Sequence, residues 1–106
     1  MVSKILVAVD GSTFANRALD YAVNLAKTYN SALTIMYVVH KRVYIAAEEA
    51  GFVTTAPLIH DMEVQGQRIL DESKKVAEAA GVKVDTFLIH GLPAEEVLRK
   101  AESEKY

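Results

Sequence analysis

The sequence predicts an α/β fold on a doubly wound parallel sheet, with three strands and three helices in this chain. Three observations predict it. Two apolar runs, Ile5–Val9 and Ala32–Val39, lack the polar alternation of a half-exposed strand and suit strands covered on both faces. A helical pattern from Phe14 to Tyr29 joins them through short turns, which makes a strand–helix–strand unit with a right-handed crossover. The alternation then recurs, with a helix over His60–Ala80, a strand over Val82–His90 and a helix opening at Pro93.

Each element has its own signals. The Ile5–Val9 run ends at Asp10-Gly11-Ser12-Thr13, where Gly permits a turn and Ser12 or Thr13 can cap a helix by accepting from an orphan N–H. In the first helix Ala15, Ala18, Leu19, Ala22, Ala26 and Tyr29 recur at spacings of three and four, forming one apolar stripe. Asn30 and Ser31 read as its stop. Lys41–Ile59 reads as a long loop with at most one helical turn at Ala46–Ala50, because Gly51, Thr54, Thr55 and Pro57 break any longer pattern. The next helix carries Met62, Ile69, Leu70, Val76, Ala77 and Ala80 toward the core, and Gly66 inside it costs about 1 kcal/mol relative to Ala. Gly81 stands just past its end. Val82, Val84, Thr86 and Leu88 share one face of the third strand, while Lys83 and Asp85 begin the other, as near a sheet edge. In the last helix Pro93 takes the first position, Glu95 and Glu96 suit the positive end, and Ala94, Val97, Leu98 and Ala101 are expected to face the core.

Composition narrows the function. A length of 106 residues allows one domain, expected to bury roughly two-thirds of its unfolded surface. With 51% hydrophobic and 25% charged residues it is not disordered. Net charge is −2 and no run of Lys or Arg exceeds two, so nucleic acid is not an expected partner. No segment approaches the roughly 20 apolar residues of a membrane span, and the five-residue apolar run Ile5–Val9 is shorter than a signal peptide needs, so none is expected in this stretch. There are no cysteines, which fits a cytoplasmic protein and removes thiolate metal sites. His40, His60 and His90 match no zinc spacing and read as surface or turn residues. The pairs Glu48-Glu49 and Glu95-Glu96 read as solvated helix positions. No Walker-type segment, Gly-x-Ser-x-Gly elbow or His-Glu-x2-His is present, so no catalytic residue is assigned.

Three motifs, in order along the chain, resemble the universal stress protein family. Lys4-Ile5-Leu6-Val7-Ala8-Val9-Asp10-Gly11-Ser12 looks like that family's opening strand and Asp-Gly-Ser turn. Met36-Tyr37-Val38-Val39-His40 is similar to its second strand ending. Gly91-Leu92-Pro93-Ala94-Glu95-Glu96-Val97-Leu98 resembles its Gly-x-Pro turn into a helix. The resemblance implies a Rossmann-like domain of the adenine-nucleotide alpha-hydrolase-like type. It also implies a stress-response module that binds ATP, AMP or another adenine nucleotide, with Mg2+ as the accompanying ion. By the same resemblance Asp10 lies beside the adenosine moiety, Ala8 and Val9 line the crevice, and the backbone of Val38 meets the adenine edge. Ser12 is placed where it can donate to a phosphate. Each has a plainer alternative: Asp10 caps the turn, Val9 is core, and Ser12 caps the helix.

The family pattern continues with a fourth strand and a Gly-x2-Gly-x9-Gly-Ser/Thr phosphate segment, and nothing in residues 1–106 matches it. The domain is therefore expected to be C-terminally incomplete, with weak ATP affinity. The first strand becomes a sheet edge, which favours a homo-oligomer, a dimer or a domain swap. An oligomerising interaction module without nucleotide binding is the alternative function.

Overall fold

The computed structural model describes residues 4–52 and 54–104. Strand β1 (Lys4–Ala8) leads into helix α1 (Thr13–Tyr29), strand β2 (Ala32–His40), helix α2 (Lys41–Glu49), helix α3 (Ala56–Ala79), strand β3 (Val84–Gly91) and helix α4 (Pro93–Glu104). The three strands form one parallel sheet in the order β1-β2-β3. Ala8 lies opposite Met36, and Val38 opposite Ile89. Among the described residues β1 and β3 are thus the two edges of the sheet.

Strand alternation divides the sheet into two faces. Val7 and Val9 of the first strand segment and Leu33 and Ile35 of β2 point to the face that α1 and α3 cover. From the helices, Leu19, Ala22, Val23 and Ala26 of α1 and Leu70 and Ala77 of α3 meet them. Small residues on α1 let its axis approach the sheet closely, which is why an alanine-rich stripe packs here. α4 lies on the other face, where the Lys100 ammonium sits 4.0 Å from the centroid of the Phe87 ring. Both crossovers run on the α1/α3 face, as right-handed connections in one direction across a sheet must.

The caps match the sequence signals. Ser12 is the N-cap of α1, its hydroxyl oxygen accepting from the Ala15 N–H at 3.1 Å. Asn30 closes the same helix in the left-handed conformation at φ 51°.

Four expectations are corrected. There are four helices among the described residues, not three, because Lys41–Glu49 is helical where a loop was expected. That helix buries none of its residues, so it leaves no apolar stripe to read. Its start is set by His40, whose Nδ1 accepts from the Arg42 N–H at 3.3 Å. Glu96 is not solvated: it is buried, with Arg99 Nη1 donating to Oε1 at 2.5 Å. Leu98, expected in the core, is 62% exposed, and Ala94 is exposed too. α4 rolls to bring Glu96 under the sheet end because Gly91 leaves room for it: a Cβ there would lie 2.6 Å from Glu96 Cγ. Finally, Tyr29 and Val76 stand at 51% and 46% exposed, the outer edges of their helical stripes.

Gly66 has a packing role. Its missing Cβ would sit 2.5 Å from both Cδ1 and Cε1 of Tyr37. The glycine lets the Tyr37 ring lie flush on α3, and that ring forms part of the cleft described next.

Candidate functional site

The C-terminal ends of β1 and β2 separate around a cleft of about 490 Å³. Ala8, Val9 and Asp10 form its β1 side, and Tyr37, Val38 and His40 its β2 side. Phe14, Ala15 and Ala18 of α1, Val43 of α2, Met62 of α3 and Pro93 complete the walls. The cleft lies beyond the carboxyl ends of the strands, the end of an open α/β sheet at which ligands sit, here beside the β1 edge.

The strand ladder explains what the cleft offers. Its last rung is the Val9 N–H donating to the Met36 carbonyl at 2.9 Å. In a parallel strand each residue's N–H and C=O point to the same side, and the side alternates. Val38, two residues beyond Met36, therefore directs its own N–H and C=O toward the β1 side. The chain has already turned away there at Asp10-Gly11, with Gly11 at φ +83°. Among the described residues no hydrogen bond joins Val38 to that side. A donor and an acceptor thus face an apolar cleft side by side.

Asp10 both caps the turn and faces the cleft, the two roles its sequence position suggests. One carboxylate oxygen, Oδ1, accepts from the Ser12 N–H at 2.9 Å and tightens the turn. The residue is exposed and also lines the cleft. The Ser12 hydroxyl, then the Ser12 N–H, hold the Asp10 carboxyl below the usual carboxylate range. It therefore presents a stable negative charge at neutral pH. Burial, and secondarily the Asp10 charge, push the Tyr37 phenol above its ordinary value.

Four of the five site residues singled out in the sequence, Ala8, Val9, Asp10 and Val38, meet at this cleft. Ser12 does not line it; its hydroxyl is engaged as the α1 cap. Sequence reasoning did not assign Phe14, Ala15, Ala18, Tyr37, His40, Val43, Met62 and Pro93 to the site. Phe14 is the one with a usable signal, a large apolar residue in a helical first turn and off the buried stripe, here 83% exposed. Val43 was unreadable because it belongs to the unanticipated helix. No group of three or more His, Asp or Glu side chains gathers to hold a metal among the described residues. No helix of the described residues is long and apolar enough to cross a membrane.

Away from the cleft, His90 links three elements. Its Nε2 lies 3.0 Å from Glu63 Oε2, and its Nδ1 3.5 Å from the Tyr44 hydroxyl. The Tyr44 and His90 rings meet edge to face at 5.9 Å. These contacts dock α2 and α3 onto the end of β3.

Comparison with known proteins agrees with this architecture. The model of the universal stress protein family matches residues 1–106. The chain is 33% identical over 109 aligned positions to universal stress protein YxiE of Bacillus subtilis, spanning 98% of this chain and 74% of that one. It is 32% identical to universal stress protein MJ0531 of Methanocaldococcus jannaschii, covering 99% of this chain but only 61% of the relative. Among solved structures, a universal stress protein family member from Burkholderia pseudomallei superposes with a TM-score of 0.80 at 30% identity, over 97% of this chain and 75% of that one. A universal stress protein solved in complex with cAMP gives a TM-score of 0.68 at 25% identity, over 98% and 67%. On the family match and these identities, the chain belongs to the universal stress protein family.

Proposed function

We propose that this domain is a stress-response module that binds adenine nucleotides in the cleft between β1 and β2, holding chiefly the adenosine end and doing so weakly. The observation that carries the reading is the unpaired Val38 peptide edge facing an apolar cleft large enough for a purine. An adenine edge offers a donor beside an acceptor, which complements a backbone N–H and C=O on one strand edge. Ala8, Ala15 and Ala18 leave space for the ring, and Asp10 stands where a ribose hydroxyl can donate to it. The cAMP complex of a family neighbour supports the ligand class.

Affinity is limited on the phosphate side. Residues 1–106 contain no Gly-x2-Gly-x9-Gly-Ser/Thr segment. Among the described residues no Lys or Arg lines this cleft, and Asp10 repels an anion. A helix N-terminus contributes only about 0.3–1 kcal/mol toward a phosphate, and Ser12 already occupies one of the α1 amides. Adenosine, AMP and ATP should therefore bind with similar, weak affinity, and Mg2+ should change it little. Titration calorimetry tests this directly. Comparable weak binding of all three, abolished by Ala8→Phe, is the expected outcome. Micromolar ATP binding would overturn the weak-affinity part, and no response to adenosine at millimolar concentration would overturn the site.

A second reading, self-association, is favoured by one observation. Among the described residues β1 is an edge strand, and Ala8 on it is exposed. Such an edge pairs readily with another chain. Concentration-dependent sedimentation that is insensitive to adenosine supports this reading, and a monodisperse monomer at micromolar concentration contradicts it.

A further inference from the structure

A second cleft, of about 540 Å³, opens on the other side of α2. Its walls come from the start of α2 (Lys41, Arg42 and Ile45), the end of β3 (His90 to Leu92) and the first turns of α4 (Glu95, Glu96 and Arg99). None of the nucleotide-cleft residues lines it. Three permanently cationic side chains therefore converge from two helices, in a chain whose net charge is −2.

The pairing of those cations is uneven. Lys41 and Arg42 are exposed and form no ion pair among the described residues. Arg99 is paired, but only one of its nitrogens is engaged by Glu96. A guanidinium carries five N–H donors in a fork, so the side facing the cleft keeps capacity. Glu96 is buried and neutralised by that pair, which leaves Glu95 as the unpaired acid on the wall among the described residues. On the same helix Lys100, by contrast, is paired with Glu104. Both α2 and α4 also begin at this cleft, a small further bias toward negative charge.

We propose that this cleft is a binding site for a small phosphate-bearing anion, held by Lys41 and Arg42 with Arg99 as the third contact. Attraction scales with the product of charges, so several cations around one opening favour a phosphate dianion over a carboxylate. Guanidinium forks also match phosphate oxygens two at a time. The phosphate can come from a free phosphate ester or from a nucleotide, and the experiment separates the two.

The test is an amide chemical-shift titration of the 106-residue chain. The probe is sodium pyrophosphate, with sodium chloride at matched ionic strength as the reference. Saturable shifts at Lys41, Arg42, Leu92 and Arg99 are expected beyond the chloride response. The Lys41→Gln/Arg42→Gln variant should bind at least about 10-fold more weakly, a loss in line with removing charge-assisted hydrogen bonds. Glu95→Gln should bind about 2- to 3-fold more tightly, because it removes the opposing charge. These residues are exposed, so the variants test binding and not folding. Saturating adenosine should leave pyrophosphate affinity unchanged, which keeps this site's failure distinct from that of the nucleotide cleft. With ATP, one 1:1 transition moving both clefts assigns the phosphate to the nucleotide. Two separate transitions assign it to a free ester. Shifts no larger than those with chloride would overturn the site. So would shifts unaffected by Lys41→Gln/Arg42→Gln or centred on Ala8–Ala18.

Discussion

Gly66→Ala is the most discriminating substitution, because two rules give opposite signs. A glycine in a helix interior is normally improved by alanine, by about 1 kcal/mol. At this position the new methyl would stand 2.5 Å from Tyr37 Cδ1 and Cε1 and 3.1 Å from Leu88 Cδ1. Comfortable carbon contacts lie at about 3.5–4 Å, so the aromatic ring must retreat by roughly 1 Å or more. It cannot do so by rotating a flexible tip, since the clash is with ring atoms near the chain. Overpacking of this kind costs about 1–3 kcal/mol, and the geometry places it at the upper end. The net expectation is a loss of about 2 kcal/mol. For a domain of this size that lowers Tm by about 8–16 °C, measurable by calorimetry or circular dichroism. The Tyr37→Ala background provides the control. With the ring gone, Gly66→Ala should stabilise by about 1 kcal/mol, so the cycle shows a coupling of about 3 kcal/mol. An unchanged or raised Tm for Gly66→Ala in the natural background would refute the reasoning. Because Tyr37 lines the cleft between β1 and β2, the proposed adenosine site, the single variant should also weaken adenosine binding.

Further outcomes follow from the same contacts. Ser12→Ala removes the α1 cap and should cost about 1 kcal/mol by denaturant titration. Gly91→Ala places a methyl 2.6 Å from Glu96 Cγ and 2.7 Å from its Oε1. It should cost at least about 1–3 kcal/mol; a Glu96→Ala background should remove the part due to the clash, while the part due to the Gly91 backbone at φ 159° persists. Burial and then the Asp10 charge raise the Tyr37 phenol, so the folded state favours the neutral form. The stabilisation is complete below the unfolded tyrosine pKa of about 10 and is lost as pH rises through the higher folded value. Phenolate absorbance should show one late-titrating tyrosine that Tyr37→Phe removes.

Much of the fold was legible because β1, α1 and β2 carry one signal each and the signals agree. An apolar run, an alanine stripe at helical spacing and a Ser12 cap leave a single reading. The misreadings share a cause: a residue's role was set by a partner elsewhere in the fold. Gly66 reads as a weak point until Tyr37 is beside it. Glu96 reads as solvent-facing until Gly91 supplies the space and Arg99 the countercharge. α2 has no buried residue, so hydrophobic periodicity was silent, and its N-cap is a histidine, outside the usual set. In the site, Asp10 was visible as an acid at a strand end. Val38 was reached only through the family resemblance, since an open peptide edge leaves no side-chain signal and depends on where the neighbouring strand stops.

α2 is the partition between the two clefts, with Val43 on one side and Lys41 and Arg42 on the other. It is fastened by polar and edge contacts, not by a buried apolar face. A partition so lightly held leaves the sheet and its core untouched if it swings aside. The residues walling the two openings are different, so filling one need not reshape the other. A nine-residue helix that contributes little to the core is therefore the wall whose displacement would merge two separate openings into one.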